Sequence, residues 1–156
     1  NLTAERVLSA GTGITIQDDG ANGNVYQSVN TNVRDKQAGI FYAGNLTTAM
    51  LAEESRIYVP FTMEIRQIRL AVSSSATGEN ITVNPLQYNG ALTSSTALFL
   101  SANRPLVVTN NLVGSDNGTF TIGNAFAGSW LGADINQIGS TVAGSNLSLI
   151  FYLRSS

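Results

Sequence analysis

Apolar and polar residues alternate with a period of two along much of the chain, which is the pattern of β-strands. Near the start, Ile14 and Ile16 alternate with Thr15, and a second strand candidate follows at residues 25–29. Between them, residues 18–24 consist of Asp, Gly, Ala and Asn, most of which favour turns. The pattern therefore predicts a β-hairpin over residues 13–29.

The rest of the chain is predicted to be a series of short strands separated by turns rich in Gly, Ser and Asn. Residues 30–37 are polar and lack periodicity, which predicts a linker. Residues 49–54 contain helix formers but suffice for only a turn or two. The predicted strands are 39–43, 56–59, 61–72, 81–83, 86–88, 97–100, 106–108, 119–122, 130–138 and 147–153.

The longest predicted strand contains a change of parity. Its apolar residues run Phe61, Met63, Ile65 and then shift by one position at Arg66–Gln67 before resuming at Ile68. A shift of one residue in a period-two pattern predicts a β-bulge at this point, or a strand that passes between two environments.

These elements predict an all-β fold, namely an antiparallel β-sandwich of the jelly-roll type with an N-terminal β-hairpin arm. We expect residues 1–37 to form the arm and linker, which serve anchoring and oligomerisation. Residues 38–156 are expected to form the sandwich domain. No internal repeat of solenoid type is visible.

Composition narrows the function. Lys, Arg, Asp and Glu make up 12% of the 156 residues, about half the usual share, while Ser, Thr and Asn supply 47 residues. There is no His and no Cys, which removes most transition-metal ligands, thiol chemistry and the usual Ser-His-Asp base. A net charge of −2 argues against nucleic-acid binding, and no apolar run is long enough for membrane insertion. We predict no enzyme activity and no cofactor.

The hairpin is the first candidate for a functional region. A two-stranded ribbon is marginally stable alone in water, so its apolar residues need another surface to cover them. Three identical arms around an axis would provide one, and subunit interfaces are depleted in Lys, Glu and Asp. The residues predicted to mediate this assembly are Val7, Leu8, Ile14, Ile16, Val25 and Val29.

Aromatic residues supply a second candidate, a platform on which the sugar rings of a glycan stack. The residues considered are Tyr42, Tyr58, Tyr88, Trp130 and Tyr152, of which Trp130 and Tyr88 are the predicted contacts. The alternative is that the single Trp fills the core or an interface, which is the more common role of a Trp in a sandwich.

The oxygen-rich turns favour structural roles. Asp18, Asp19, Asn22 and Asn24 lack the spacing of an EF-hand loop and indicate turn chemistry, as do Asp116 and Asn117. No metal site is therefore predicted.

Three further features concern charged residues and sequence position. We expect Arg104 to pair with a carboxylate such as Asp134 and thereby fix a loop. A glycosidase pair such as Glu64 with Asp134 is the third and least favoured functional alternative. Since the first residue is Asn, either the chain is processed or the sequence starts within a longer polypeptide, and we expect the second.

Four passages resemble a known group of proteins. Residues 5–16, ERVLSAGTGITI, followed by Asp19–Gly20, resemble a segment that recurs in tailed-bacteriophage fibre and virion proteins. Residues 58–65, 102–105 and 134–147 resemble a β-sandwich domain of phage structural proteins. In the last passage the chain has Asn136 and Asn146 where that pattern has acidic residues, so the resemblance implies no cation site there.

The resemblance implies a non-enzymatic virion component, a homotrimeric fibre, spike or capsid-surface protein on the exterior of the particle. Its expected partners are copies of itself and other virion proteins of the capsid or tail. Head fibre or decoration protein and tail fibre remain alternatives. A tail-fibre receptor-binding module that recognises a host surface glycan is the second functional hypothesis.

Overall fold

The computed structural model describes residues 14–18, 25–29, 35–52 and 55–155. The chain divides into two compact units, Asn1–Lys36 and Gln37–Ser156. Strands dominate the described residues, which contain no α-helix and one 3-10 turn at Ser101–Asn103. The strands are β1 (Ile14–Asp18), β2 (Val25–Val29), β3 (Asp35–Asn45), β4 (Ile57–Val59), β5 (Met63–Ala71), β6 (Ile81–Tyr88), β7 (Ser95–Ala97), β8 (Leu106–Val107), β9 (Val113–Ser115), β10 (Asn124–Ala125), β11 (Ser129–Ile138) and β12 (Ser145–Ser155).

The first unit contains the predicted hairpin. Strands β1 and β2 pair antiparallel, with Ile14 opposite Val29 and Asp18 opposite Val25. In the described part of the chain these two strands form a sheet of their own. The hairpin prediction is confirmed, while its turn, residues 19–24, lies outside the described residues.

The second unit is one antiparallel sheet that folds over until it is nearly closed, with a sandwich or barrel-like shape. Its hydrogen-bonded order is β3-β12-β5-β9-β8-β6-β11-β4, with β10 added to β5 and β7 added to β6. Strands β8 and β9 join its two halves through the Leu106–Ser115 pair. The all-β, sandwich-type fold expected from the sequence is thus confirmed.

The core lies between the two halves of the sheet and follows the alternation of the strands. On β12, every second residue from Leu147 to Leu153 is buried. On β11, Leu131, Ala133 and Ile135 are buried in the same way, so the residues between them face outward. Burial of these apolar side chains is the main stabilising contribution to such a fold.

The predicted bulge in β5 is present. Against β12, Gln67 pairs with Tyr152 and Ile65 pairs with Leu153, which leaves Arg66 as the extra residue. Because of this insertion, Ile65 and Ile68 are both buried, although residues three positions apart point to opposite faces in a regular strand.

Two strand predictions were wrong around β9. Residues 119–122 are not a strand, because the N–H groups of Thr121 and Ile122 both point to one carbonyl, that of Leu98. Conversely, residues 113–115 form β9, a strand that the sequence did not predict.

Other differences concern element boundaries. The two strands predicted at 81–83 and 86–88 form one strand, β6, which continues through Pro85. The carbonyl of Pro85 accepts a hydrogen bond from the Leu98 N–H at 3.0 Å. The predicted linker overlaps β3, which starts at Asp35. No helix is present over residues 49–52, and residues 53–54 lie outside the described residues.

Candidate functional site

The sheet order brings three aromatic residues into one line across the outer face. Strand β11 lies between β4 and β6, and its Trp130 pairs with Tyr58 on one side and Tyr88 on the other. We call Tyr58, Trp130 and Tyr88 the aromatic row. Because neighbouring strands are about 4.8 Å apart, the row spans about 10 Å. The two predicted glycan contacts, Trp130 and Tyr88, are therefore direct neighbours.

Within the row, the rings differ in exposure and packing. Tyr58 is 52% exposed, whereas Trp130 and Tyr88 are half-buried. The Tyr58 and Trp130 ring centroids are 5.0 Å apart with an interplanar angle of 57°, a tilted contact of the kind that aromatic pairs prefer. Tyr58 thus presents the largest free surface of the row.

An arginine that the sequence did not single out completes this surface. The guanidinium carbon of Arg56 lies 4.5 Å from the centroid of the Tyr88 ring, in a cation–π contact. Since Arg56 precedes β4 and β11 separates β4 from β6, its side chain crosses β11 to reach Tyr88. The guanidinium covers one face of the Tyr88 ring, so Tyr88 supports Arg56 rather than offering that face to a ligand.

The Arg56 side chain retains hydrogen-bonding capacity. Its Nε atom is buried and has no hydrogen-bond acceptor, so only the terminal nitrogens of the guanidinium can donate to a ligand. The one salt bridge found among the described residues joins Arg66 to Glu64 at 2.7 Å and does not involve Arg56. A guanidinium is a donor only, so a ligand for Arg56 must supply oxygen acceptors.

The outer face beside the row is covered by the segment that follows β3. A Cβ on Gly132 would lie 2.7 Å from the Ala52 Cβ, so Ala52 packs directly on the Gly132 backbone. The Ala52 N–H donates to Asp134 Oδ1 at 2.8 Å. The predicted pairing of Asp134 with Arg104 is wrong, since Asp134 accepts from this backbone instead and Arg104 Nε has no partner.

A cleft of about 380 Å³ adjoins the row at the end of the sheet. Its wall includes Tyr88 and the exposed Phe126, together with the polar residues Asn89, Ser94 and Thr96. This volume lies within the range of small-molecule pockets, about 300–1,000 Å³. The combination of apolar rings and hydroxyl or amide groups suits a ligand that is both apolar and rich in hydroxyls.

Hydrogen bonds hold both loops that border the cleft. Asn89 Oδ1 accepts from the Thr93 N–H at 2.9 Å, which fixes the β6–β7 loop. On the other side, the Gly128 N–H donates to the Val59 carbonyl at 2.8 Å and the Ala127 N–H donates to Thr62 Oγ1 at 3.1 Å. The β10–β11 turn is thereby attached to the end of β4, which carries Tyr58.

The other tyrosines considered for the platform lie elsewhere. Tyr42 is 3% exposed, and its hydroxyl donates a hydrogen bond to the Ala133 carbonyl. Ala133 lies on β11 past the residues that pair with β4. Tyr152 lies on β12, with the Arg69 guanidinium carbon 5.9 Å from its ring centroid. Neither residue belongs to the aromatic row.

The predicted assembly residues of β1 and β2 lie on the same face of the hairpin. Positions 14 and 16 of β1 and positions 25 and 29 of β2 fall on one face of the two-stranded ribbon, since directly opposed residues share a face. Val7 and Leu8 lie outside the described residues. The assembly role of all six residues stays a prediction.

Acidic residues in the described part of the chain have structural partners. Asp116 Oδ1 accepts from the Gly118 N–H at 2.7 Å and Asn117 Oδ1 accepts from the Thr119 N–H at 3.1 Å, which confirms turn chemistry there. Glu64 is engaged by Arg66. Over the described ranges, no group of three or more Asp, Glu, His or Cys residues could hold a metal ion.

Two further observations concern membrane-spanning helices and similarity to known proteins. Within the part of the chain that the structure describes, none of the helical segments has the length and apolar character to cross a membrane. Comparisons of the chain with protein-family models, with curated proteins and with solved structures find no match.

Proposed function

We propose that this chain is a non-enzymatic structural component of a bacteriophage virion, a homotrimer whose sandwich is displayed on the exterior of the particle. The observation that carries the proposal is the β1–β2 hairpin, a two-stranded sheet in a unit of its own, in which positions 14, 16, 25 and 29 share one face with Asp18 and Gln27.

The physical argument concerns the stability of that hairpin. Five residue pairs in two strands are marginal alone in water, and burial of apolar side chains favours association. Three copies of the hairpin around an axis cover one another's apolar faces and complete a larger sheet or bundle. The low charge of the chain removes the electrostatic repulsion that would oppose such an assembly.

The sequence resemblance supports the biological setting of this assembly. The segment at residues 5–16 resembles one found in phage fibre and virion proteins, and its last three residues belong to β1. In this proposal the arm also docks on other virion proteins of the capsid or tail. Head fibre, capsid decoration and tail fibre are the three forms that it includes.

Size-exclusion chromatography with light scattering tests the trimer. The full chain should have three times the 16.4 kDa mass of one copy at micromolar concentration. The double variant Ile14→Asp/Ile16→Asp should be monomeric, because two charges on the apolar face oppose its burial. Thr15→Asp adds a charge on the other face and should remain trimeric. A wild-type monomer with an ordered arm would contradict the proposal.

The second candidate function is recognition of a host surface glycan by a tail-fibre receptor-binding module. The observation in its favour is the aromatic row beside a polar cleft. Aromatic faces pack against the C–H groups of sugar rings, while hydroxyl and amide groups bind sugar hydroxyls. Inhibition of phage adsorption by the purified chain measures this function independently of the oligomeric state.

A further inference from the structure

The outer face of β4, β11 and β6 combines three features that are useful together. An exposed ring is available at Tyr58, a cation is fixed at Arg56, and a cleft begins at Tyr88. Tyr58 on β4 and Tyr88 on β6 flank β11, and Arg56 directly precedes β4, so one extended ligand can contact all three at the same time.

We propose that the aromatic row and the adjoining cleft form one binding site for an oligosaccharide chain. In this site a sugar ring packs on Tyr58 and Trp130, and the sugar oxygens accept hydrogen bonds from the Arg56 guanidinium. The neighbouring sugar enters the cleft past Tyr88. The inference rests on the second candidate function and specifies the residues and the ligand class for it.

Stacking geometry supports a sugar ring as the occupant. Because the Tyr58 and Trp130 rings are tilted by 57° to each other, they do not form a flat plate. A sugar ring has C–H groups on both faces and oxygens around its edge. It can therefore contact the electron-rich ring faces while its oxygens turn toward a cation.

The role assigned to Arg56 follows from its surroundings. Tyr88 holds the guanidinium by cation–π contact, which reduces the entropy lost when Arg56 binds a ligand. Arg56 has no salt-bridge partner among the described residues. Either vicinal hydroxyls or a sugar carboxylate can accept its hydrogen bonds, and the two ligand sources are separable by experiment.

The shape of the surface favours a chain of sugars over a single one. The row spans about 10 Å, which exceeds the width of one sugar ring. The cleft adds about 380 Å³ beyond Tyr88. Its Asn89 side chain is fixed within its own loop, with Nδ2 donating to Thr93 Oγ1 at 2.8 Å. Ser94 and Thr96 therefore provide the hydroxyl groups for a second sugar.

The test is binding of the full chain to an array of bacterial surface polysaccharides, neutral ones in one arm and uronic-acid-containing ones in the other. Positive ligands are then titrated against Trp130 fluorescence, which reports on this site because the chain has one Trp. Binding in the neutral arm indicates hydroxyl acceptors. Binding confined to the acidic arm, and weakened by salt, indicates a carboxylate.

Two variants and two matched controls test the residues. Arg56→Gln should weaken binding by about tenfold or more, and Tyr58→Thr by about threefold to tenfold. The controls are Arg69→Gln, which removes the cation beside Tyr152, and Phe41→Thr, which removes an aromatic residue that is 58% exposed on β3. Both controls should bind like the original chain.

The outcomes separate this inference from the proposed assembly. Absence of binding across both arms, or equal affinity of all four variants, overturns the saccharide site whatever the oligomeric state. Light scattering on the same samples reports the trimer. A trimer without glycan binding therefore contradicts only the site, and a monomer that binds glycan contradicts only the assembly.

Discussion

Gly132 shows how a single residue permits the covering of the outer face. Alanine at this position would place a Cβ 2.7 Å from the Ala52 Cβ and 3.2 Å from the Ala52 carbonyl oxygen. Distances this short require the segment around Ala52 to move, which strains its hydrogen bond to Asp134. The close approach explains why glycine occupies the middle of a strand.

We predict that Gly132→Ala lowers the free energy of unfolding by about 1–3 kcal/mol, the usual cost of overpacking. Urea denaturation measures the loss. Gly123→Ala is the matched control, because an added Cβ there has no atom within 4 Å. Equal losses in the two variants would show that the contact with Ala52 is not the cause.

At the residue level, the sequence predicted part of the candidate site. Trp130 and Tyr88 could be predicted as ligand contacts because large aromatic residues are candidate binding groups in a chain with few charged residues. Arg56 could not, since its contact with Tyr88 depends on the strand order β4-β11-β6, which no local pattern contains. Tyr42 and Tyr58 are the same residue type, yet Tyr42 is buried with its hydroxyl donating to the Ala133 carbonyl, whereas Tyr58 is exposed in the row.

At the level of elements, the sequence predicted what local alternation determines. The bulge in β5 could be predicted from the sequence because the strand is buried on both sides of it. The apolar residues therefore follow a period of two on each side, and the shift of one position between them is apparent. Strand β9 was missed because Gly114 resembles a turn residue. An added Cβ at Gly114 would lie 2.0 Å from the Leu106 carbonyl oxygen, so the glycine marks a close approach of β8 and β9.

The bulge leads to a deletion experiment. Without Arg66, the buried residues Ile65 and Ile68 would be two positions apart, and a regular strand could keep both in the core. Deletion of Arg69 instead makes Ile68 and Leu70 adjacent, which turns one of them outward. Arg66 itself contributes an exposed salt bridge, worth at most about 1 kcal/mol.

We therefore predict that deleting Arg66 costs less stability than deleting Arg69, by at least about 2 kcal/mol, the value of one buried aliphatic side chain. Chemical denaturation of the two single-residue deletions measures the difference. Both remove one arginine from the same strand, so charge and chain length are matched. Equal losses would mean that the bulge itself is required.

For the whole molecule, the distribution of apolar residues separates two sources of stability. The buried cluster runs from Ile40 to Leu153, entirely within the second unit, and includes residues of both halves of the sheet. A domain of this size can hold a sufficient core. The hairpin has two strands and few residues, so in the proposed trimer its stability comes from association.

This difference predicts distinct dependences on protein concentration. A structure stabilised by association becomes more stable as concentration rises, whereas a monomeric domain does not. Amide hydrogen exchange should therefore slow in β1 and β2 when the chain is concentrated from nanomolar to micromolar. Exchange in β11 and β12, and the thermal midpoint followed by Trp130 fluorescence, should stay constant.

The hairpin variants complete this test. Ile14→Asp/Ile16→Asp should raise exchange in β1 and β2 to that of an unfolded peptide at every concentration, since two added charges in place of apolar side chains oppose burial of that face. Its Trp130 midpoint should equal that of the original chain, because the buried cluster lies in the second unit. Thr15→Asp should behave like the original in both respects. Slow, concentration-independent exchange in the hairpin of the original chain would mean that it is stable without copies of itself, and the assembly proposal would lose its physical basis.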